Sequence, residues 1–149
     1  MRLQILVVED HAGDVILMRA ALNEAGIPCE LHVIRDGIEA LKFLNRTGEF
    51  RDATKPDLIV LDWILPYREG PEVLAQIKKS DTCKTVPIIV HSAFSDPAEI
   101  NRAMELGADI WLPKTNDLET HLRQFAHVVS VCTAKLISDP VNEIESSAA

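Results

Sequence analysis

Five short apolar runs alternate with five helix-patterned stretches along this chain, and that alternation leaves few folds open. Leu3–Val8 is apolar almost throughout, the pattern of a strand covered on both faces. Asp14–Ala25 carries Val15, Leu17, Met18, Ala21, Leu22 and Ala25 at roughly helical spacing, with Gly26 placed to end it. Leu31–Ile34 reads as a second strand and Ile38–Asn45 as a short helix with Leu41 and Leu44 inward. A polar loop over 46–56 precedes the third strand, Leu58–Leu61. Gly70-Pro71 opens the next helix, which buries Val73, Leu74 and Ile77. Pro87 opens a fourth strand, Ile88–His91. Asp96-Pro97-Ala98-Glu99 has the form of an N-cap, a first-turn proline and an acidic third residue, and that helix runs to Leu106. After Gly107 comes a fifth strand, Ile110–Leu112. The last helix is expected from Asn116 or Asp117 through Leu136, stopping at Ser138-Asp139-Pro140, with a polar tail beyond.

Strands that alternate with helices need right-handed crossovers, which give an α/β fold with a parallel sheet covered by helices on both faces. In such sheets ligands bind beyond the carboxyl ends of the strands, where the strand order reverses. The chemistry-bearing residues of this chain gather there. Glu9-Asp10 follows the first strand, Asp62 the third, Ser92 the fourth and Lys114 the fifth. A lone buried carboxylate is costly, so Asp62 after Leu58-Ile59-Val60-Leu61 demands partners. Three carboxylates packed together repel unless a cation joins them, and oxygen ligands with no Cys or His nearby in the pattern favour a hard ion such as Mg2+. With a lysine and a hydroxyl to hold an anion, the set has the chemistry of a phosphoryl-accepting site built on an Asp nucleophile.

Taken singly, each residue has a plainer role. Asp10 would be a cap, Ser92 a loop hydroxyl, Lys114 a solvated charge and Trp111 a core aromatic. Their common placement at strand ends is what favours a site.

Bulk properties narrow the rest. At 149 residues the chain makes one domain with a real core, and a net charge of −8 argues against binding nucleic acid through its phosphates. Cys29, Cys83 and Cys132 are odd in number and widely spaced, which suits reduced thiols rather than disulfides or zinc. No apolar run suggests a membrane helix, and the first residues lack a signal-peptide layout, so a cytoplasmic location is expected.

With these residues in view, the chain resembles the receiver domains of two-component response regulators over about residues 3–135. The resemblance rests on Leu6-Val7-Val8-Glu9-Asp10, Asp62-Trp63-Ile64-Leu65-Pro66 with Gly70, Pro87 through Ser92-Ala93, and Gly107-Ala108 leading to Lys114. It implies a flavodoxin-like (βα)5 doubly wound sheet of order 2-1-3-4-5, with the receiver over 1–138 and a tail over 139–149. It also implies that Asp62 accepts a phosphoryl group from a phosphohistidine. Glu9, Asp10, Asp62 and the backbone carbonyl of Ile64 would hold Mg2+. Lys114 would pair with Asp62 and then with the phosphoryl oxygens. Ser92 would bond the phosphoryl group, and Trp111 stands at the family's aromatic switch position. The chain would then be a signalling phosphoacceptor, catalysing only its own phosphorylation and dephosphorylation. Glu9-Asp10-His11-Ala12-Gly13-Asp14, the long 46–56 loop and the lack of an output domain narrow the resemblance to the small regulators of cyanobacterial phytochromes. Those take their phosphoryl group from a light-sensing histidine kinase and commonly form homodimers.

Some features depart from the family. Thr115 rather than proline follows Lys114, so a trans peptide bond and a different loop path are expected there. Ser92 replaces the commoner threonine, and His91 should point away from it as a satisfied core or interface histidine. The long last helix carries more apolar surface than one sheet face needs, so Val128, Val131 and Leu136 could form a seam between two copies. Two other functions compete. A haloacid-dehalogenase-type phosphatase also uses a strand-end Asp, but Ile64 occupies its general-acid position. A pseudo-receiver that binds partners without phosphorylation would not need the full acidic, hydroxyl and lysine set.

Overall fold

The computed structural model describes residues 2–148, with side chains through residue 134. Strands β1 (Leu3–Val8), β2 (Cys29–Ile34), β3 (Leu58–Leu61), β4 (Ile88–Ser92) and β5 (Ile110–Pro113) alternate with helices α1 (Ala12–Glu24), α2 (Gly37–Leu44), α3 (Gly70–Lys79), α4 (Pro97–Glu105) and α5 (Leu118–Ala148). All strand pairs are parallel and the sheet order is β2-β1-β3-β4-β5, as expected. The order reverses between β1 and β3, and the crevice opens at their carboxyl ends.

Strand alternation divides the core into two layers. Leu6, Val8, Ile59, Leu61, Ile88 and Val90 face one way, against Phe43, Val73, Leu74, Ile77 and Ala103 of α2, α3 and α4. Ile5, Val7, Leu58, Val60 and Ile89 face the other way, against Met18 and Leu22 of α1 and Phe125 and Val129 of α5. Burying a side chain as large as Phe125 contributes roughly 1.5–3 kcal/mol, so these two helices are anchored to the sheet by a few residues each.

Two glycines shape the chain beside the crevice. A Cβ on Gly70 would lie 2.6 Å from the Trp63 carbonyl, and one on Gly37 would collide with the Arg68 backbone. Gly70 also donates its N–H to Trp63 at 3.0 Å, which closes the β3–α3 loop directly behind Asp62. Only a residue without a side chain lets the backbones approach this closely.

The helix and strand boundaries differ from the sequence reading by one or two residues, except in two places. The 46–56 loop contains a 3-10 turn, Gly48–Phe50, whose Phe50 packs edge-on against Phe43 at 5.6 Å. Helix α5 continues to Ala148, past the stop expected at Pro140. Proline's fixed φ suits a helix; it forfeits one backbone hydrogen bond and can bend the helix without ending it. Of the residues expected in a seam between copies, Val128 packs partly into its own core, whereas Val131 is 55% exposed. The side chain of Leu136 lies outside those described. No helix of the described residues is long and apolar enough to cross a membrane.

Candidate functional site

Asp62 enters the crevice because its backbone continues the β3 ladder: its N–H donates to the Val8 carbonyl at 2.9 Å. Glu9 is fixed in the same way from β1, donating to Ile34 at 2.9 Å. The Lys114 N–H donates to the Ser92 carbonyl at 2.7 Å, which ties the end of β5 to the end of β4. No peptide bond among the described residues is cis, so the Lys114–Thr115 bond is trans, as its composition predicts.

These ladders bring the expected residues together. Asp10, Asp62, Ser92, Lys114 and Ile64 line one cavity of about 340 Å³, with the exposed Phe94 at its rim. Ligand atoms of Glu9, Asp10, His11 and Asp62 all lie within 4.8 Å of one another. Asp62 is 5% exposed and Glu9 only 1%. The Ile64 N–H donates to Asp62 Oδ1 at 3.3 Å, and the Ser92 hydroxyl accepts the Phe94 N–H at 3.2 Å.

Burial raises the Asp62 carboxyl above its usual range, although Lys114 and the Ile64 N–H pull it back. Glu9 is pushed up to about 7, by burial first and by repulsion from Asp62 second. Lys114 is buried too, which opposes its charge, but the hydrogen bond to Asp14 and the charges of Asp62 and Glu9 outweigh that and raise its pKa. Raised carboxylates crowded at a cavity wall mark a place where a cation would be stabilising. The donor set is dominated by carboxylate oxygen and fits a hard divalent ion.

One feature corrects the sequence reading and another adds to it. The cluster is not free of histidine: His11 Nδ1 lies 3.2 Å from Glu9 Oε1 and 3.6 Å from Asp10 Oδ1. And the shortest contact of the Lys114 ammonium is not with Asp62. It meets Asp14 Oδ2 at 2.8 Å, Glu9 Oε2 at 3.1 Å and Asp62 Oδ2 only at 3.5 Å. Asp14 belongs to the motif that carries the narrower resemblance, but nothing in its helical spacing announces a contact one hundred residues away.

Trp111 packs edge-on against Trp63 at 5.6 Å, and its indole nitrogen is buried without a partner among the described residues. The Trp63 indole instead donates to Glu99 Oε2 at 2.7 Å. Asp96 caps α4 by accepting the Ala98 N–H at 3.1 Å, so the expected capping pair is only half used and Glu99 serves Trp63. Neither Trp63 nor Glu99 was legible as a partner, because the contact joins residues far apart in the chain.

Residues 5–126 match the response regulator receiver domain. The chain belongs to that family. This receiver is similar to response regulator Rcp1 of Synechocystis sp., with 36% identity over 115 residues, 77% of this chain and 78% of that one. Its fold superposes on the phosphorylated cyanobacterial phytochrome response regulator RcpA with a TM-score of 0.84 at 32% identity, covering 91% of this chain and 96% of RcpA. The Mn(2+)-bound form of Rcp1 gives 0.79 at 33%, covering 85% and 91%. The receiver's five-stranded sheet is thus that of a response regulator like those of cyanobacterial phytochromes.

Proposed function

We propose that this receiver accepts a phosphoryl group on Asp62 from a phosphohistidine of a histidine kinase, and signals through contacts with other proteins that depend on that group. The observation that carries this reading is a buried carboxylate at the wall of an open cavity, flanked by Lys114 and Ser92 and crowded by Glu9 and Asp10. An Asp62 oxygen attacks phosphorus in line with the scissile P–N bond. That bond breaks, and its electron pair stays on the departing imidazole. Lys114 balances the charge that develops on the phosphoryl oxygens. The Ser92 hydroxyl, which accepts from Phe94, still has its own proton to donate to one of them.

Glu9, Asp10, Asp62 and the backbone carbonyl of Ile64 would hold Mg2+, which supplies charge neutralisation at the phosphoryl oxygens when bound. Support for a divalent ion comes from the carboxylate cluster and from the Mn(2+)-bound relative. Movement of Ser92 towards the phosphoryl group would release the packing around Trp111, shifting the population between two surface states. The similarity to RcpA and Rcp1 supports a phytochrome-type histidine kinase as the donor, acting in the cytoplasm. The exposed Val131 on α5 supports a homodimer through the last helix. In this reading the domain spans residues 1–138, with 139–149 as an extension.

Incubation with Mg2+ and acetyl phosphate tests the acceptor directly. Mass spectrometry should find an alkali-labile phosphoryl adduct that is absent from Asp62→Asn. No adduct from either acetyl phosphate or a phosphorylated kinase would overturn the proposal, and continuous turnover of many phosphoesters would point to a phosphatase instead.

A further inference from the structure

The ammonium of Lys114 sits at the tip of a flexible four-carbon stem, and what fixes it decides whether it is ready for a phosphoryl group. Pro113 precedes the lysine and Thr115 follows it, so no ring stiffens the chain immediately after the residue. The backbone hydrogen bond to Ser92 places Lys114's main chain but leaves its side chain free to rotate.

The side chain is nevertheless held: Glu9 accepts from it at 3.1 and 3.2 Å, and Asp14 makes the shortest contact. Asp14 Oδ2 approaches Nζ to 2.8 Å, against 3.5 Å for Asp62. Asp14 stands in the first turn of α1, where the helix dipole favours a carboxylate, and α1 is itself anchored to the sheet through Val15, Met18 and Leu22. It is not among the residues that line the cavity shared by Lys114 and Asp62. An ammonium has three N–H groups. If Asp14 takes one, two remain for Glu9 and for the oxygens on the cavity side.

We propose that Asp14 is a positioning residue that holds the Lys114 ammonium at the wall of the site, oriented towards Asp62 and the incoming phosphoryl oxygens. This rests on the reading of Asp62 as the acceptor. Asp14 makes no hydrogen bond to the acceptor; its polar neighbours are Lys114 at 2.8 Å and His11 Nδ1 at 3.7 Å, and it acts through the lysine. A charge-assisted hydrogen bond of this length is among the stronger polar contacts available to a partly buried side chain. Its removal takes away the shortest of the contacts that hold the ammonium and leaves those to Glu9 and Asp62.

The test compares wild type, Asp14→Asn, Lys114→Met and the double variant in phosphorylation by acetyl phosphate with Mg2+. Asp14→Asn keeps the shape and removes the charge, and is expected to slow the reaction about tenfold, the effect of one charge-assisted hydrogen bond. In the Lys114→Met background the same change should cost nothing further, because its route of action is gone. A rate for Asp14→Asn equal to wild type, or an equal slowing in both backgrounds, overturns the proposal.

A second readout needs no phosphorylation. In Mg2+-free protein the Lys114 ammonium should give a slowly exchanging 15N–1H correlation, missing in Lys114→Met. It should broaden in Asp14→Asn and stay sharp in Asp62→Asn. The reverse pattern would show that Asp62 holds the lysine, and would overturn the proposal. A wild-type chain that takes no phosphoryl group overturns the acceptor reading, while this spectrum still decides whether Asp14 holds Lys114.

Discussion

Two buried polar clusters share the α1 and α5 side of this sheet, and they are built on opposite principles. At the strand ends, Lys114 contacts Asp14, Glu9 and Asp62, and each charge has an opposite partner. Behind it, His91 of β4 and His121 of α5 lie with ring centroids 5.3 Å apart, and His91 lies 5.8 Å from Phe125. Both ring nitrogens of His91 and Nε2 of His121 are buried without a partner among the described residues. Sequence reading expected His91 to be a satisfied histidine; it is in the core, but unsatisfied. It remains buried by staying neutral and packing as an aromatic. Burial first, and then the positive charge of Lys114, push His91 down to about 3, and the same two causes lower His121; Asp14 opposes both. The lesson is that burial alone does not mark a functional group. The strand-end cluster gathers its carboxylates around a shared ammonium and faces an open cavity, whereas the imidazole pair gives up its charge and packs against side chains.

The most severe way to break this contrast is to remove the shared cation. Lys114→Met leaves Glu9, Asp14 and Asp62 crowded without it, and should lower stability by about 3 kcal/mol in Mg2+-free urea unfolding. Added Mg2+ should recover part of that loss. An undiminished midpoint would mean that the strand-end charges are not buried as a paired set.

The two clusters should also answer acid with opposite signs. The folded pKa of His91, about 3, lies below its ordinary 6.5. Between those values the unfolded chain binds a proton that the folded chain does not, so this contribution to stability is lost as pH falls from 6.5 towards 3. Glu9 is raised from 4.5 to about 7, so between those values the folded chain binds the extra proton and its contribution grows as pH falls. Each slope has a limit of about 1.4 kcal/mol per pH unit, so the two oppose each other between 4.5 and 6.5 and His91 acts alone below that. Urea unfolding of wild type and His91→Leu across pH 7 to 4 separates them. The variant should gain on wild type as the solution is acidified, and a pH-independent difference would sink the neutral-histidine account.

At pH 7 the same His91→Leu variant should be more stable than wild type by about 1 kcal/mol, since it removes unpartnered polar atoms from the core at similar volume. A loss of stability there would mean that the imidazole has a partner after all.

The contrast recurs on a smaller scale in the indoles: Trp63 has Glu99 as acceptor and Trp111 has none among the described residues. Glu99→Ala should cost about 1 kcal/mol or less and shift the tryptophan emission, because Trp63 and Trp111 are the only two tryptophans in the chain. Unchanged emission would argue that the bond does not order Trp63.

Strand and helix alternation, the parallel sheet and the gathering of Glu9, Asp10, Asp62, Ser92 and Lys114 at one edge were all legible in the sequence. The reason is physical: a strand buried on both faces needs an unbroken apolar run, and the residue that ends the run is placed at the sheet edge without further information. Phe50 was hidden within a polar loop, since a single aromatic has no period to read. The continuation of α5 past Pro140 escaped because a proline signals a lost hydrogen bond, which a long helix can tolerate.

Pairing between elements is another matter. The sequence by itself determined which groups stand at the crevice and what chemistry they offer. Only the tertiary structure decided that Lys114 leans on Asp14 more closely than on Asp62, that His11 joins the carboxylates, and that Glu99 serves Trp63. Side-chain partners across a sheet depend on how helices rotate as they pack, and a difference of 2.8 Å against 3.5 Å is set by that packing rather than by any local pattern.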